Sequence, residues 1–598
     1  MGQKRIELLA DRVEREFLDF VLKPGRYIGG EVNQIRKDLA RCDVRVALCF
    51  PDVYEVGMSH TGLAILYEVL NAQDGVAAER VFTPWIDAER VLRAKDIPLF
   101  SLENKASVGS FDLVGFSLTN ELCCTNVLTM LDLAGLRIRG RDRGPDDPVV
   151  IAGGGMAHCA EPMAEFIDAF VLGDGEQAAV ELVRLFRECR TQGMDKAEFL
   201  LTAAQRFEWV YVPGLVQVEY DGDRIRTLRP TVTGLSVQRR SAVVEDLEHA
   251  PVPAHPIVPF VQAVHERVSL EIMRGCPGRC RFCQVSFCRR PIRYRSVDRL
   301  VAMAKACCES TGLDTISLLS LSSAEYPHLE ELLRRLRPYS EPRHVGISIP
   351  SLRVDRQLRL LPDLLTSVRK SGLTIAVEAA SERLRTVLNK PVSDEDLMAA
   401  AEAAYQAGWQ RLKLYFMVGL PGEAEEDVRR IVGLAHELAR RRVATHGGMA
   451  EIAVTVSWLV PKPHTPFGWL GQRSRSYLEQ ARQCILDEKK RRHARSLTFK
   501  FHDVDQSILE SALGRGDRRL ADVIESAWRD GARFDLWSEC FNYPRWKEAF
   551  ARHGLDVEAL ASRSFDTTET LPWEHLGGPD KATLLDHYLR AMAEAGNA

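Results

Sequence analysis

Short apolar runs alternate with helical patterns along most of the chain, and this alternation constrains the fold more than any other feature. Within residues 41–199 the runs are VRVALCF (44–50), DLVGFSL (112–118), VVIAGGG (149–155) and DAFVLGDG (168–175). Apolar runs of this length, separated by helices, predict parallel strands that are buried on both faces. Residues 41–199 are therefore predicted to form a doubly wound, Rossmann-type α/β domain with its ligand at the carboxyl ends of the strands.

The same alternation returns in residues 263–469. The candidate strands there are VSLEIMRG (268–275), TISLLSL (315–321), VGISIPS (345–351), LTIAVEA (373–379), RLKLYFMVGL (411–420) and IAVTVSWLV (452–460). Right-handed crossovers between six such units predict a partial (β/α)6 barrel. The chemistry of such barrels sits at the carboxyl ends of their strands.

Three segments fall outside these two α/β units. Residues 1–40 are predicted as a helical lead-in, and residues 200–262 as a β-hairpin followed by a Pro-rich linker. Residues 470–598 are predicted to form a helical C-terminal region. Within it, the basic stretch DEKKRRHARSLTFKFH (487–502) is interpreted as a solvated helix face followed by a strand, with contact to an anionic substrate such as RNA as the alternative.

Composition narrows the classes of function. Hydrophobic residues make up 45% and charged residues 27% of the chain, as in ordinary globular proteins. The net charge of −4 lacks the basic excess of proteins that wrap nucleic acid, so charge does not indicate such a partner. The sequence shows neither a membrane-spanning apolar stretch nor a signal peptide, so we expect a cytoplasmic protein with no membrane partner. Its 14 cysteines are then expected to be reduced thiols or metal ligands.

The most specific motif is RGCPGRCRFC, which directly follows the first predicted barrel strand. It places Cys276, Cys280 and Cys283, here called the motif cysteines, in a C-x3-C-x2-C pattern. Thiolates are the usual ligands of iron–sulfur clusters, and three of them leave one iron of a cube open for a cofactor or substrate. Gly275 and Gly278 let the backbone turn tightly around a cube. Structural zinc is the competing interpretation, but it needs four ligands, and no partner pair lies at a suitable spacing.

This motif resembles that of the radical S-adenosylmethionine (SAM) superfamily, and the resemblance covers about residues 265–465. It includes Phe282, which in the family packs near the adenine of SAM. The resemblance implies a [4Fe–4S] cluster on the motif cysteines, which cleaves SAM reductively to a radical that abstracts hydrogen from a substrate. It also implies a reductant of the flavodoxin or ferredoxin type. No catalytic residue beyond the cluster is assigned, and the substrate is not identified.

Later strand ends extend the resemblance to SAM contacts. SLSSAEY stands where the family binds the SAM amino group, so Ser322 and Ser323 are candidates, with a plain strand-end turn as the alternative. Glu378 resembles the polar group that meets the ribose or methionine moiety of SAM, and a salt bridge at the barrel mouth is its alternative. KLYFMVGLPGE resembles the segment that supports adenine, which makes Met417 and Gly419 candidates.

The N-terminal domain carries a second resemblance, to cobalamin-binding (B12-binding) domains. Asp52-x-Tyr54-x-x-Gly57 falls where those domains carry Asp-x-His-x-x-Gly, with tyrosine in place of the cobalt-ligating histidine. Ser117 approximates the serine of their nucleotide-loop motif. A glycine pair of the family is matched by Gly153, Gly154 and Gly155. A helix cap at Asp52 and tight turns at the glycines are the alternatives.

Together the motifs resemble most a functionally uncharacterised group of B12-type radical SAM proteins. This resemblance implies a radical SAM enzyme and leaves three functions open. They are cobalamin-assisted methyl transfer or rearrangement, radical modification of RNA or a small molecule without cobalamin, and a non-enzymatic iron–sulfur sensor. If cobalamin binds, the motif predicts a base-off, His-off cofactor, with Tyr54 packing below the corrin or hydrogen-bonding a cobalt-bound water. Tyr54 is not expected to coordinate cobalt, because a neutral phenol is a poor metal ligand.

Overall fold

The structure is a computed structural model that describes residues 4–349 and 373–596. The N-terminal unit is built on a sheet whose strands are β1 (Val44–Phe50), β2 (Val76–Phe82), β3 (Leu113–Ser117), β4 (Val149–Gly153), β5 (Ala169–Val171) and β6 (Val210–Tyr211). Their order is β2-β1-β3-β4-β5-β6, with the first five parallel and β6 antiparallel. The chain reverses direction across the sheet between β1 and β3, so the doubly wound α/β prediction is confirmed.

Helices cover both faces of this sheet. They are α2 (Tyr54–Gly57), α3 (Thr61–Asn71), α4 (Ile86–Lys95), α5 (Cys124–Leu133), α6 (Gly175–Thr191) and α7 (Lys196–Arg206), after a lead-in that contains α1 (Ala10–Arg12). All seven residues of β1 are buried, as expected for a strand covered on both faces.

The strand β2 is absent from the predicted apolar runs because its sequence, VAAERVF, contains two charged residues. Both are buried. Arg80 pairs with Glu31 at 2.9 Å and with Glu103 at 2.6 Å, and Glu79 accepts hydrogen bonds from neighbouring polar groups. An internal ion-pair network therefore replaces the apolar side chains that usually identify a buried strand.

The segment after this sheet contains the predicted hairpin. Its strands are β7 (Val216–Asp221) and β8 (Arg224–Pro230), paired antiparallel. The sheet itself extends into the segment, because β6 lies beyond residue 199.

The second α/β unit contains β9 (Val268–Glu271), β10 (Met273–Arg274), β11 (Arg293–Tyr294), β12 (Thr315–Leu319), β13 (Gly346–Ser348), β14 (Leu373–Glu378), β15 (Arg411–Val418), β16 (Glu451–Trp458) and β17 (Leu497–Phe501). Parallel pairing joins β13-β12-β9 in one set and β14-β15-β16-β17 in another, and β10 pairs antiparallel with β11. Residues 350–351 of the third predicted strand lie outside the described residues. The parallel strand β17 extends the predicted six-strand barrel and coincides with the strand expected in 487–502.

The helices of this unit follow the strands in the βα order that the sequence predicts. They are α8 (Gln284–Cys288), α9 (Val297–Thr311), α10 (Leu329–Ser340), α11 (Glu382–Val387), α12 (Asp394–Gln406), α13 (Glu425–Arg441), α14 (Val443–His446) and α15 (Arg475–Arg491). The acidic first turn and basic last turn of α13 suit the helix dipole.

The C-terminal region is helical, as predicted, and it packs on the N-terminal unit. Its helices are α16 (Val504–Arg515), α17 (Leu520–Arg529), α18 (Tyr543–Arg552), α19 (Val557–Ser562) and α20 (Lys581–Glu594). Trp528 donates from Nε1 to Thr129 Oγ1 at 3.1 Å, and Thr125 donates to Asp535 at 2.8 Å. In the described ranges, no helix has the length and apolar character needed to cross a membrane.

Candidate active site beside the cysteine loop

The cysteine loop, residues 275–283, joins β10 to α8 beyond the first barrel strand. Gly275 opens the loop with a φ of +89°, and a Cβ at this position would lie 2.7 Å from the carbonyl oxygen of Arg289. Only glycine fits both the backbone conformation and this close approach. Cys283 ends the loop as the residue before α8.

Hydrogen bonds to its backbone hold the cysteine loop in shape. Arg290 donates from Nη2 to the carbonyl oxygens of Cys276 (3.1 Å) and Gly278 (3.2 Å). The amide of Cys283 donates to the carbonyl oxygen of Cys280 at 3.0 Å. The loop therefore presents its three partly exposed motif cysteines on a backbone that is already folded.

The arrangement of acidic, histidine and cysteine side chains disfavours a zinc site. Over residues 4–349 and 373–596, no three of them form a group that could hold a single metal ion. Each thiolate ligand of a [4Fe–4S] cube binds a different iron, so its ligands need not converge on one point as those of zinc do. Nearby Cys288 lies outside the cysteine loop, at the end of α8, and burial raises the pKa of its thiol to about 12.

Two of the residues assigned to SAM lie against one apolar cluster. Phe282 of the cysteine loop and Met417 of β15 both pack on side chains that follow β14, β15 and β16, together with one side chain of α20. The structure thus brings the two predicted adenine neighbours to the same side of the barrel.

The predicted serines follow β12 and differ in their surroundings. Ser323 Oγ lies 3.0 Å from Ser320 Oγ and donates to the carbonyl oxygen of Leu318 at 3.3 Å, so its hydroxyl is part of the strand-end turn. Ser322 is 3% exposed, and its hydroxyl has no hydrogen-bond partner in the described part of the chain. A buried hydroxyl without a partner is uncommon, which makes Ser322 the stronger candidate for a ligand contact.

Glu378 combines backbone strain with a salt bridge. It ends β14 with a φ of +68°, a conformation that residues other than glycine rarely adopt, and the β14–β15 register shifts between Ala376 and Glu378. Lys390 donates from Nζ to its carboxylate at 3.0 Å, so the salt bridge named as the alternative is present. Strain of this kind is concentrated at functional sites, and the carboxylate stands at a strand end.

Gly419 is fixed by a buried carboxyl. Its φ is +97°, and its amide donates to Glu423 Oε1 at 2.8 Å. Tyr477 donates its hydroxyl to the same oxygen at 2.6 Å. Burial raises the pKa of Glu423 to about 7, so this carboxyl titrates near neutral pH.

A cavity of about 440 Å³, here called the central cavity, lies between the N-terminal sheet and the cysteine loop. Its inner half is an apolar slot between the sheet and helices α3 and α6, lined by Val46, Leu48, Ile65, Leu66, Leu113, Gly115, Ile151, Val171, Ala179, Leu182 and Val183. Its outer half reaches Gly275 of the cysteine loop and Ser320 after β12. The slot opens at the point between β1 and β3 where doubly wound sheets bind their ligands.

Four polar groups line the central cavity without a protein partner. They are Nε2 of His60 and the hydroxyls of Thr61, Ser117 and Thr119, none of which makes a hydrogen bond to the described residues. Small-molecule sites are typically apolar with a few such groups to orient the ligand. The cavity therefore has the character of a ligand site.

An ion-pair network lines the cavity on the side of the cysteine loop. Asp174, which precedes α6, accepts hydrogen bonds from Arg293 (2.6 Å) and Arg289 (2.8 Å) and lies 3.3 Å from Arg274. Arg274 also pairs with Glu176 at 2.6 Å. Because these arginines flank the cysteine loop in sequence, the N-terminal unit holds that loop directly.

The structure separates the predicted cobalamin residues into two groups. Lining the central cavity are Ser117, Gly153, Gly154 and Gly155. Asp52, Tyr54 and Gly57 are not among the residues that line it.

Tyr54 and Asp52 have protein partners instead. Tyr54 is buried, donates its hydroxyl to Glu31 at 3.0 Å and packs edge-on against Phe82. The Asp52 carboxylate accepts from the amide of Val53 and from Trp537 Nε1, at 2.7 and 3.0 Å. Neither side chain is thus placed for the ligand contact that the motif predicts.

Sequence reasoning missed several residues that line the cavity. His60 lies three positions after Gly57, beyond the end of the motif, and its position was the only signal available. Asp174 belongs to GDGE, a segment that follows a predicted strand end and so could have been proposed as a site. Arg274 is the first residue of the RGCPGRCRFC motif, but the sequence does not indicate that it or Arg289 meets Asp174, because only the fold brings them together.

Both α/β units match known protein families. Residues 270–435 match the family described as the radical SAM superfamily, and residues 62–213 match the family described as the N-terminal part of radical SAM proteins. The chain is 25% identical over 481 residues to an uncharacterised protein of Methanocaldococcus jannaschii, covering 80% of this chain and 90% of that one. It is 23% identical over 316 residues to the ribosomal protein uS12 methylthiotransferase RimO of Crocosphaera subtropica, covering 49% of this chain and 68% of RimO.

Solved structures of similar fold have lower sequence identity. OxsB, described as a cobalamin-dependent SAM radical enzyme with aqua-cobalamin and SAM bound, superimposes with a TM-score of 0.50 at 13% identity, over 82% of this chain and 67% of OxsB. The methyltransferase TsrM of Kitasatospora setae gives a TM-score of 0.48 at 17% identity, over 71% of this chain and 77% of TsrM. The OxsB match reflects a shared fold. Through the radical SAM domain at residues 270–435 and the N-terminal domain that accompanies it, the chain belongs to the radical SAM superfamily of enzymes.

Proposed function

We propose that this enzyme cleaves SAM reductively at a [4Fe–4S] cluster and uses cobalamin, held in the central cavity, to transfer a methyl group to an unidentified substrate. The observation that carries the proposal is the central cavity itself, since one continuous space runs from the slot in the N-terminal sheet to Gly275 of the cysteine loop. A ligand in the slot would therefore lie beside the loop that carries the motif cysteines.

The motif cysteines fit the cluster by their number and their preformed loop. When bound and reduced, the cluster supplies the electron that cleaves SAM. The role of the chain is to hold the loop through Arg290 and to leave one iron without a protein ligand, where SAM can bind.

We assign the SAM contacts to residues around the barrel mouth. Phe282 and Met417 provide the apolar surface for adenine, and the unpartnered hydroxyl of Ser322 is the candidate for the amino group. Ser323, bonded within its turn, would shape this site rather than touch SAM. Glu378 faces the ribose or methionine moiety in this proposal, and Gly419 provides a backbone position that its positive φ keeps close to the ligand.

Cobalamin fits the slot on two grounds. A Cβ added to Gly115, in the middle of β3, would meet only one atom within 4 Å, and one added to Gly155 would meet none, so both leave space for a planar apolar group such as the base of the nucleotide tail. Ser117, Thr119, Thr61 and His60 provide polar groups for its sugar and phosphate. The fold shared with OxsB, a cobalamin-binding protein by its description, supports this placement.

Methylthiotransfer, the activity named for RimO, is less compatible with the N-terminal unit. A second cluster would need thiolates there. Burial raises the pKa of Cys123 to about 12 and raises the thiol pKa of Cys42, Cys49 and Cys189 as well. The six cysteines of this unit are all buried, and their positions do not repeat the C-x3-C-x2-C spacing of the cysteine loop.

The test is anaerobic purification of the full chain from cells supplied with cobalamin, followed by metal analysis and SAM turnover. We expect about four irons and one cobalamin per chain, 5′-deoxyadenosine from the SAM that is cleaved, and S-adenosylhomocysteine from a second SAM that donates its methyl group. Formation of 5′-deoxyadenosine without bound cobalamin would favour radical chemistry that does not use it. A full cluster with no turnover of SAM would favour the sensor.

A further inference from the structure

Among the described residues that line the central cavity, His60 is the only histidine. It stands before the first residue of α3, and its Nδ1 accepts a hydrogen bond from the amide of Leu63 at 3.1 Å. The ring also packs against Phe50, with centroids 5.2 Å apart. Two contacts thus fix the position of the imidazole.

The helix cap decides where the imidazole carries its proton. A backbone amide can only donate, so Nδ1 must be unprotonated to accept from Leu63. Burial, together with the charge of Arg289, lowers the pKa of His60 to about 4, so the ring is neutral at physiological pH. A neutral imidazole with a bare Nδ1 carries its proton on Nε2. Nε2 then has no lone pair for a metal.

Gly62 supports the same ring position. A Cβ at Gly62 would lie 2.9 Å from Cε1 of His60, so a larger residue would displace the ring from the cap. Nε2 has no hydrogen-bond partner among the residues that the structure describes. The cavity thus contains the Nε2–H donor of His60, whose position is fixed by the start of α3 and which has no acceptor among the described residues.

We propose that His60 donates a hydrogen bond from Nε2–H to an acceptor oxygen of the cobalamin in the central cavity, and that it does not coordinate cobalt. This inference rests on the proposed function, because it assigns a positioning role toward the same cofactor. In this proposal His60, and not Tyr54, is the residue near the N-terminal motif that contacts the cofactor.

The test compares His60→Asn with the wild-type full chain. Asparagine is among the best helix-capping residues, so this variant keeps an acceptor for the start of α3 while its shorter side chain removes the donor from the cavity. His60→Ala removes both groups, and Asn120→Ala, at the N-terminal cap of another helix turn, reports the cost of losing a cap alone. Cluster content and thermal midpoint are measured on every protein.

Two readouts separate the outcomes. We expect His60→Asn to keep its thermal midpoint and to bind cobalamin about tenfold more weakly, the loss typical of one hydrogen bond. The EPR spectrum of the bound cob(II)alamin should show no splitting from a protein nitrogen. Protein grown with ¹⁵N-histidine checks this, because the label changes a splitting caused by histidine but not one caused by the nitrogen of the cofactor's own base.

Unchanged affinity in His60→Asn would overturn the inference while leaving the proposed function intact. A nitrogen splitting that changes with ¹⁵N-histidine and disappears in His60→Asn would identify His60 as a cobalt ligand, which also overturns it. If the wild-type chain with a full cluster binds no cobalamin, the cobalamin part of the proposed function fails, and the inference fails with it.

Discussion

Replacing Asp174 with asparagine removes one charge from the network that joins the N-terminal unit to the cysteine loop, while nearly preserving the shape of the side chain. Asp174 is 4% exposed. Burial alone would raise the pKa of its carboxyl, but the charges of Arg274 and Arg289 hold that pKa below its ordinary value. The carboxylate is therefore ionised in the folded protein at neutral pH, and asparagine cannot supply the charge that the arginines require.

The size of the effect follows from what each arginine retains. Arg274 keeps its pairs with Glu176 and Glu271, and the side chain of Arg289 is 29% exposed, so both charges stay partly compensated. Arg293 is 7% exposed and, within the described ranges, pairs with no carboxylate except Asp174. Removing one partner of a buried ion pair costs about 3–5 kcal/mol. Since one buried guanidinium is left without a carboxylate, although it keeps hydrogen bonds to the carbonyl oxygens of Val244 and Pro291, we expect the low end of this range, about 3 kcal/mol, or roughly a 150-fold change in the local opening equilibrium.

Hydrogen exchange of residues 272–295, measured on the full chain with its cluster, detects this local change directly. We expect exchange in this segment to be roughly 100-fold faster in Asp174→Asn. The matched control is Glu188→Gln on the same helix, α6, because Glu188 also pairs with an arginine, Arg206, at 2.6 Å. Both of those side chains are about half exposed, so their pair contributes less than about 1 kcal/mol. Equal exchange in the two variants would refute the reasoning that Asp174 holds the loop.

Three further changes test the other assignments. Replacing the motif cysteines together with alanine should abolish bound iron and its visible absorption, whereas Cys288→Ala should keep about four irons per chain; iron that survives the triple change would contradict the cluster assignment. Gly115→Leu should fill the slot and weaken cobalamin binding by about 10- to 100-fold at unchanged iron content, while Gly214→Leu on the surface should leave binding unchanged. Equal cobalamin affinity in the two variants would show that the cofactor binds elsewhere. The pKa of Glu423 in the folded protein, about 7, exceeds its ordinary value of 4.5. As pH rises from 4.5 to 7, the free energy of unfolding of the wild type should therefore fall by up to about 3 kcal/mol relative to that of Glu423→Gln, as measured by thermal unfolding. A difference between the two proteins that does not change with pH would contradict this.

The sequence predicted elements where one local pattern determined the structure. The run VRVALCF coincides with β1 because all of its residues are buried, and the hairpin was predicted because its turn is local. The strand β2 was not predicted, since its buried Glu79 and Arg80 find their partners in distant segments. A single-sequence pattern cannot distinguish a charge paired in the interior from a charge in water.

The candidate site likewise contains residues that local spacing predicts and residues that only the fold brings together. The motif cysteines and Gly275 lie on one loop, so their spacing was sufficient to predict them. Asp174 and Arg274 are a hundred residues apart, and only the docking of the two α/β units brings them to 3.3 Å. Tyr54 was assigned to the cofactor because of its place in a motif, yet its hydroxyl donates to Glu31 within the ion-pair network of β2.

The position of α6 explains why the two halves of the site should depend on each other. Asp174 and Glu176 at the start of this helix hold the arginine that precedes the cysteine loop, and Ala179 and Leu182 one to two turns later line the slot. A ligand in the slot therefore contacts the same rigid helix that positions the cysteine loop. Because a helix moves as a unit more readily than it bends, filling the slot should also restrict the loop. Cobalamin binding should thus slow hydrogen exchange of residues 272–295 in the wild-type chain and have a much smaller effect in Asp174→Asn, where the connection is broken; an equal effect in both would show that the slot and the loop are independent.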